Sequence, residues 1–192
     1  MILTRIVLDS DGVLMDMHAA AHAAGQKKWG YQGSLETWYA NYPKGSYRLH
    51  DAFNVPAKDC WELFDTPEFW GTVKAYPGAA EFVNAVLRLG NMHRVQVVIA
   101  TQTTADPATT GPKMQGIANA FHMPTYCIWG GKKDPLDDGH SVLVDDCPGN
   151  LDRWSGPTIE FPQLWNQRHA LVEDPSRPRY KLVLEELKEL WL

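Results

Sequence analysis

The stretch Ile6-Val7-Leu8-Asp9-Ser10-Asp11-Gly12-Val13-Leu14-Met15-Asp16 decides how this chain is read. An apolar run with the signature of a buried strand stops at two carboxylates one residue apart, and a glycine follows. Side chains alternate along a strand, so Asp9 and Asp11 share a side if the backbone stays extended. Gly12 fits a chain turning out of the sheet at this point, because glycine adopts dihedrals that other residues avoid. Alone, Asp-x-Asp-Gly also describes a solvated turn. Here apolar residues flank it on both sides, and two anions held between buried segments are costly without a cation. The pattern therefore predicts a bound metal. Asp9 is placed to attack an electrophile, and Asp11 to donate and then accept a proton.

Outward from this stretch, strand and helix signals alternate. Residues 17–76 are rich in aromatic side chains and poor in strand signals, and their Pro and Gly breaks predict several short helices. Tyr76-Pro77-Gly78 leads into a helix whose apolar side carries Ala80, Phe82, Val83, Val86, Leu87 and Leu89, with Gly90 as its expected end. Further strands are predicted over 95–100, 125–129, 141–144 and 158–161, with helices near 112–121 and 181–192. This alternation implies an α/β fold, a parallel sheet covered by helices on both faces. The expected division is a Rossmann-like core of residues 1–16 and 77–192, with a helical cap of residues 17–76 inserted after the first strand.

Ligands of such sheets bind beyond the carboxyl ends of the strands. Polar residues gather at three of those ends: Asp9 with Asp11, Thr101, and Asp145 with Asp146. The Thr101 hydroxyl and the Gln102 backbone N–H are suited to phosphate oxygens. Lys133, with Lys132 in reserve, offers the cation that a phosphoryl site crowded with carboxylates needs. Asp145 and Asp146 complete an oxygen-only site suited to Mg²⁺, although an Asp-Asp pair also serves as a helix cap. In the insertion, Trp38, Tyr39, Tyr42, Phe69 and Trp70 offer faces on which a base could stack, and equally the core of a helical subdomain. At least one of Trp38, Tyr39 and Tyr42 is expected to face the site, with Tyr42 the chosen substrate contact.

Composition narrows the class. With 192 residues, 44% of them hydrophobic, the chain supports one sizeable core with a modest insertion. A net charge of −5 without a Lys/Arg run argues against binding a nucleic-acid duplex, while a local metal keeps small phosphorylated substrates compatible. Three widely spaced cysteines fit reduced thiols. No segment has the length of a membrane span, and the first strand starts close to Met1, so a cytoplasmic protein without membrane partners is expected. Monomer and homodimer both remain open.

The four pieces in this order resemble the haloacid dehalogenase (HAD) superfamily of phosphatases: residues 9–16, Thr101, Lys133, and Val144-Asp145-Asp146-Cys147-Pro148-Gly149-Asn150. Within it, the chain looks most like the 5′(3′)-deoxyribonucleotidases. The helical insertion, Tyr76-Pro77-Gly78-Ala79 and the late segment Phe161-Pro162-Gln163-Leu164-Trp165-Asn166-Gln167 carry that likeness. The resemblance implies a Mg²⁺-dependent phosphomonoesterase that hydrolyses nucleoside monophosphates through an aspartyl-phosphate. Asp9 and Asp146 would ligate the metal directly and Asp11 through its backbone carbonyl, with Asp145 set behind them. A phosphatase for another small phosphoester, such as a sugar phosphate, and a non-catalytic binding domain of the same fold are the alternatives. The chain departs from the family at Met17, where an aromatic residue is common, at Gln102 in place of serine, and at Gly131 in place of arginine.

Overall fold

The computed structural model describes residues 2–42, 48–103, 106–122, 128–172 and 178–191. The apolar run is a strand, β1 (Arg5–Asp9), with Ile6, Val7 and Leu8 fully buried. A strand made almost wholly of apolar residues is stable only when both faces are covered, and this one lies mid-sheet. The other strands are β2 (Gln96–Ala100), β3 (Ile128–Trp129), β4 (Ser141–Asp145) and β5 (Thr158–Glu160). All pair in parallel in the order β3-β2-β1-β4-β5.

Register brings the polar strand ends level. Asp9 lies opposite Ala100, and Leu8 opposite Val144, so Asp9, Thr101 and Asp145 line one carboxyl edge. The chain builds outward from β1 to one side through β2 and β3, then returns to the other side for β4 and β5. The switch falls between β1 and β4, where open α/β sheets form their ligand crevice.

Among the described residues five helices follow β1: α1 (Met17–Trp29), α2 (Leu35–Asn41), α3 (Leu49–Phe53), α4 (Ala57–Trp61) and α5 (Pro67–Thr72). Asp16 starts α1 by accepting the Ala19 N–H at 2.9 Å, a side-chain N-cap. Their aromatic side chains join one continuous apolar core with the sheet, in which Trp38, Tyr42, Phe53 and Phe69 are buried. The remaining helices, α6 (Ala79–His93), α7 (Pro107–Phe121), α8 (Pro148–Leu151) and α9 (Arg179–Glu189), complete the layers. No helix among the described residues is long and apolar enough to cross a membrane.

Three helices are bounded differently from the sequence reading, and the last of them, α9, runs from Arg179 to Glu189 where 181–192 was expected. α6 runs through Gly90 to His93 and ends on Arg94, which adopts the left-handed conformation (φ 58°). Gly90 is a packing glycine: a Cβ there would lie 2.7 Å from Val97 Cγ2 and 3.0 Å from the Val95 carbonyl oxygen. α7 starts at Pro107, before the expected 112, because the Asp106 carboxylate accepts the Ala108 N–H at 2.8 Å and Pro107 suits the first turn. For the strand expected over 125–129, residues 125–127 lie outside the described residues.

Gly90 supplies a test of this packing. Alanine in place of a mid-helix glycine ordinarily stabilises by about 1 kcal/mol. Here the new methyl meets β2 and a backbone carbonyl, and overpacking costs about 1–3 kcal/mol. Gly90→Ala is expected to lower the urea midpoint; a raised midpoint would show that β2 yields to the methyl.

Candidate active site

The turn after β1 is built by backbone closure. Leu14 and Met15 N–H groups both donate to the Ser10 carbonyl at 2.8 Å, and the Gly12 N–H donates to the Met15 carbonyl at 3.0 Å. Gly12 has a φ of 83°, and a Cβ there would overlap the Asp146 carboxylate. Glycine at this position thus serves both the left-handed turn and the close approach of β4's end. The Gln163 side-chain amide donates to the Gly12 carbonyl, and the Tyr180 hydroxyl to the Val13 carbonyl at 2.6 Å.

Asp9, Asp145 and Asp146 stand together, each buried, with one carboxylate oxygen apiece within 4.8 Å of the others. Lys133 reaches into this group from the loop after β3, its ammonium 2.7 Å from Asp9 and 2.5 Å from Asp145. Trp129 Nε1 donates to the Lys132 carbonyl at 2.9 Å and so anchors that loop. Asp145 is saturated: its oxygens also accept the Cys147 N–H at 2.9 Å and the Asn150 amide at 3.1 and 3.2 Å. Asp146 accepts Trp165 Nε1 at 2.7 Å on Oδ2. Among the described residues no hydrogen bond takes up Asp9 Oδ2 or Asp146 Oδ1.

The electrostatics follow from this crowding. Burial, then the neighbouring Asp145, push the Asp9 carboxyl up to about 7 despite Lys133. Asp146 is held well above the carboxylate range by burial and by Asp9 and Asp145. Burial acts to lower the Lys133 ammonium, but Asp9 and Asp145 outweigh it and hold it above its ordinary value. Carboxylates that raise one another in this way fit a divalent cation, and the all-oxygen donor set fits a hard one such as Mg²⁺.

The other expected residues divide. Thr101 is fully buried, and its hydroxyl donates to Asp11 Oδ2 at 3.2 Å. Gln102 lines the cavity over the strand ends, and its carbonyl accepts a hydrogen bond from Lys113 at 2.7 Å. Tyr42 does not reach the cavity. It is 2% exposed, its ring lies 5.3 Å from that of Trp38 and 5.5 Å from that of Trp165, and it belongs to the apolar core. Trp38 is equally buried, and Tyr39 donates to Asp16 Oδ1 at 3.2 Å. The cavity, about 1010 Å³, takes its aromatic wall instead from Trp61, Phe64 and Trp70. The expectation that Tyr42 contacts substrate is therefore corrected: its ring covers apolar surface at the root of the insertion, where exposure would cost more than it returns.

Sequence reasoning missed Lys113. It sits inside α7, is 5% exposed, lines the cavity, and pairs with Asp11 Oδ2 at 2.5 Å. A single lysine in a helix usually faces solvent, so no local signal marks it. The late segment acts as a brace. Besides Gln163 and Trp165, Asn166 donates to the carbonyls of Asp146 at 3.0 Å and Phe161 at 2.7 Å. His18 stacks on Trp165 at 3.7 Å between centroids, and burial pulls its imidazole down to about 3, so it stays neutral.

No protein-family model matches the sequence, and neither does any curated protein. Solved structures do match. A predicted phosphatase from Clostridium acetobutylicum is similar at TM-score 0.59 and 13% identity, over 98% of this chain and 100% of that one. A HAD hydrolase of family IA, variant 3, from Entamoeba histolytica is similar at TM-score 0.54 and 12% identity, over 90% of each. CbbY from Rhodobacter sphaeroides, solved in complex with phosphate, is similar at TM-score 0.50 and 16% identity, over 86% of this chain and 88% of that one. At these identities the likeness is one of fold: the chain has the α/β architecture of HAD-type hydrolases.

The raised Asp9 carboxyl makes stability depend on pH. A carboxyl protonated more readily in the folded chain than at its ordinary 3.8 favours the folded state on the acid side. That contribution is complete below 3.8 and is lost as pH rises through about 7. Protein stripped with EDTA is therefore expected to melt at a lower temperature at pH 8 than at pH 5.5. Added Mg²⁺ should raise Tm more at pH 8, where the carboxylates are free of protons. Equal Mg²⁺ shifts at both pH values would exclude these carboxylates as its ligands.

Proposed function

We propose that this chain is a Mg²⁺-dependent phosphomonoesterase working through an aspartyl-phosphate, with residues 17–76 as its cap. The observation that carries the reading is Asp9 itself: a carboxylate at the carboxyl end of a central strand, oriented by Lys133 at 2.7 Å and open to a large cavity. Asp9 Oδ attacks phosphorus, and the bond from phosphorus to the ester oxygen breaks. Asp11 gives its proton to the departing alkoxide. Water then attacks the aspartyl-phosphate, Asp11 takes its proton, inorganic phosphate leaves, and Asp9 is regenerated. Lys133 supplies a donor near the charge that moves, and Thr101 holds Asp11 through its hydroxyl. The metal would be held by Asp9 and Asp146 side chains and the Asp11 carbonyl, and when bound it offsets the negative charge on carboxylates and phosphoryl oxygens.

For the substrate we propose a nucleoside monophosphate. Supporting this are the size of the cavity and its aromatic wall, in which Trp61 is 54% exposed and so free to stack. The resemblance to the deoxyribonucleotidases points the same way. A sugar phosphate draws support from the polar lining, where Asn150, Arg153 and Asp134 offer donors and acceptors for hydroxyl groups.

Phosphate release from a panel of nucleoside and sugar monophosphates, with Mg²⁺ and with EDTA, tests the reading. Asp9→Asn should abolish turnover while retaining the fold, and Asp11→Asn should cost on the order of 10²–10⁴-fold. A fully active Asp9→Asn, or a folded wild type silent on every ester, would refute it. Trp61→Ala should raise KM for nucleotides and spare a small aryl phosphate, a base stacked there being worth about 1–3 kcal/mol. Tyr42→Ala, by contrast, should lower stability by about 3 kcal/mol or more, as removal of a buried aromatic does.

A further inference from the structure

Lys113 is the one lysine of α7, and it is nearly inaccessible. Its ammonium pairs with Asp11 Oδ2 at 2.5 Å, donates to the Gln102 carbonyl at 2.7 Å, and lies 4.0 Å from the centroid of the Trp70 ring. Burying an ammonium is costly, and these three contacts replace its water with a carboxylate, a carbonyl and a ring face. They come from three parts of the chain: the turn after β1, the end of β2, and α5 of the insertion. Thr101 donates to the same oxygen of Asp11. The other oxygen, Oδ1, is buried without a hydrogen-bond partner among the described residues.

We propose that Lys113 is a positioning residue for Asp11, seated by Trp70 of the insertion. The inference rests on the phosphatase reading, in which Asp11 is the acid and base. With Lys113 and Thr101 both on Oδ2, the carboxyl group cannot rotate freely, and its orientation at the cavity is fixed. An unheld Asp11 would spend part of its time turned away, and misplaced general acids lose rate steeply. Because Trp70 forms one side of the seat, the placement of Asp11 depends on how α5 packs against α7. The insertion therefore helps to aim the acid as well as to roof the cavity.

A positioning role is separated from a structural one by the leaving group. Proton donation matters for an alkoxide and hardly for p-nitrophenolate, which departs unassisted. The comparison uses kcat/KM, which covers steps only through phosphoryl transfer to Asp9, on two esters. One is the nucleoside or sugar monophosphate that the wild type hydrolyses fastest; the other is p-nitrophenyl phosphate. Lys113→Met is expected to lower kcat/KM on the alkyl ester by on the order of 10²-fold and to leave p-nitrophenyl phosphate nearly unchanged. Trp70→Leu keeps the lysine and removes part of its seat. On a sugar monophosphate, where loss of base stacking on the cavity wall cannot enter, it should show the same selectivity at smaller size, and it carries the test if Lys113→Met does not fold. Equal losses on both esters, or none on either, in an active enzyme would overturn the inference alone. A wild type that hydrolyses neither ester would overturn the phosphatase reading and this inference with it.

Discussion

Mutual repulsion among buried carboxylates is the constraint on which this structure turns. Asp9, Asp145 and Asp146 occupy the ends of two neighbouring strands, where parallel pairing leaves them no freedom to separate. One fixed ammonium, that of Lys133, bridges Asp9 and Asp145 but does not pair with Asp146. The excess negative charge appears as carboxyls pushed upward, Asp9 to about 7 and Asp146 beyond the ordinary range. Such an arrangement is poor for stability and well suited to gathering a cation and a phosphoryl group.

Holding that charge in place requires a rigid surround, and much of it comes from far along the chain. Gln163, Trp165 and Asn166 reach back to the Gly12 carbonyl, the Asp146 carboxylate and the Asp146 carbonyl. Arg179 in turn donates to Gln163 Oε1 at 2.8 Å. The segment 161–167 thus braces both sides of the site. Asp145, whose oxygens are occupied by Lys133, Asn150 and a backbone N–H, acts as an orienting carboxylate, whereas Asp9 and Asp146 each keep an oxygen open.

The aromatic residues of the insertion divide by depth. Trp38 and Tyr42 form its root, packed with His18 and Trp165 against the core. Trp61 and Phe64 line its mouth, and Trp70 links it to α7 through Lys113. One composition therefore both seals the core and lines the cavity, and each residue's part follows from which surface its helix covers.

The amino-acid sequence by itself determined the sheet, its parallel sense and the convergence of Asp9, Asp11, Thr101, Asp145 and Asp146 at its carboxyl edge. Those follow from local signals: apolar runs of strand length, each ending in a polar group, separated by helices. Lys133 was legible through its place between two strands, since a loop at that point opens onto the same edge. Three things only the tertiary structure decided. Gly90 is a packing glycine inside α6 because β2 lies against it, which no helix-ending rule could reveal. Tyr42 is buried and Trp61 exposed because short helices of similar composition turn different faces to the core, and none is long enough to display a periodicity. Lys113 joins the site because α7 packs against α5 beside the turn after β1, bringing together residues 102 positions apart. Side-chain spacing encodes what neighbours in the chain do; the meeting of Lys113 with Asp11 depends on how whole elements pack.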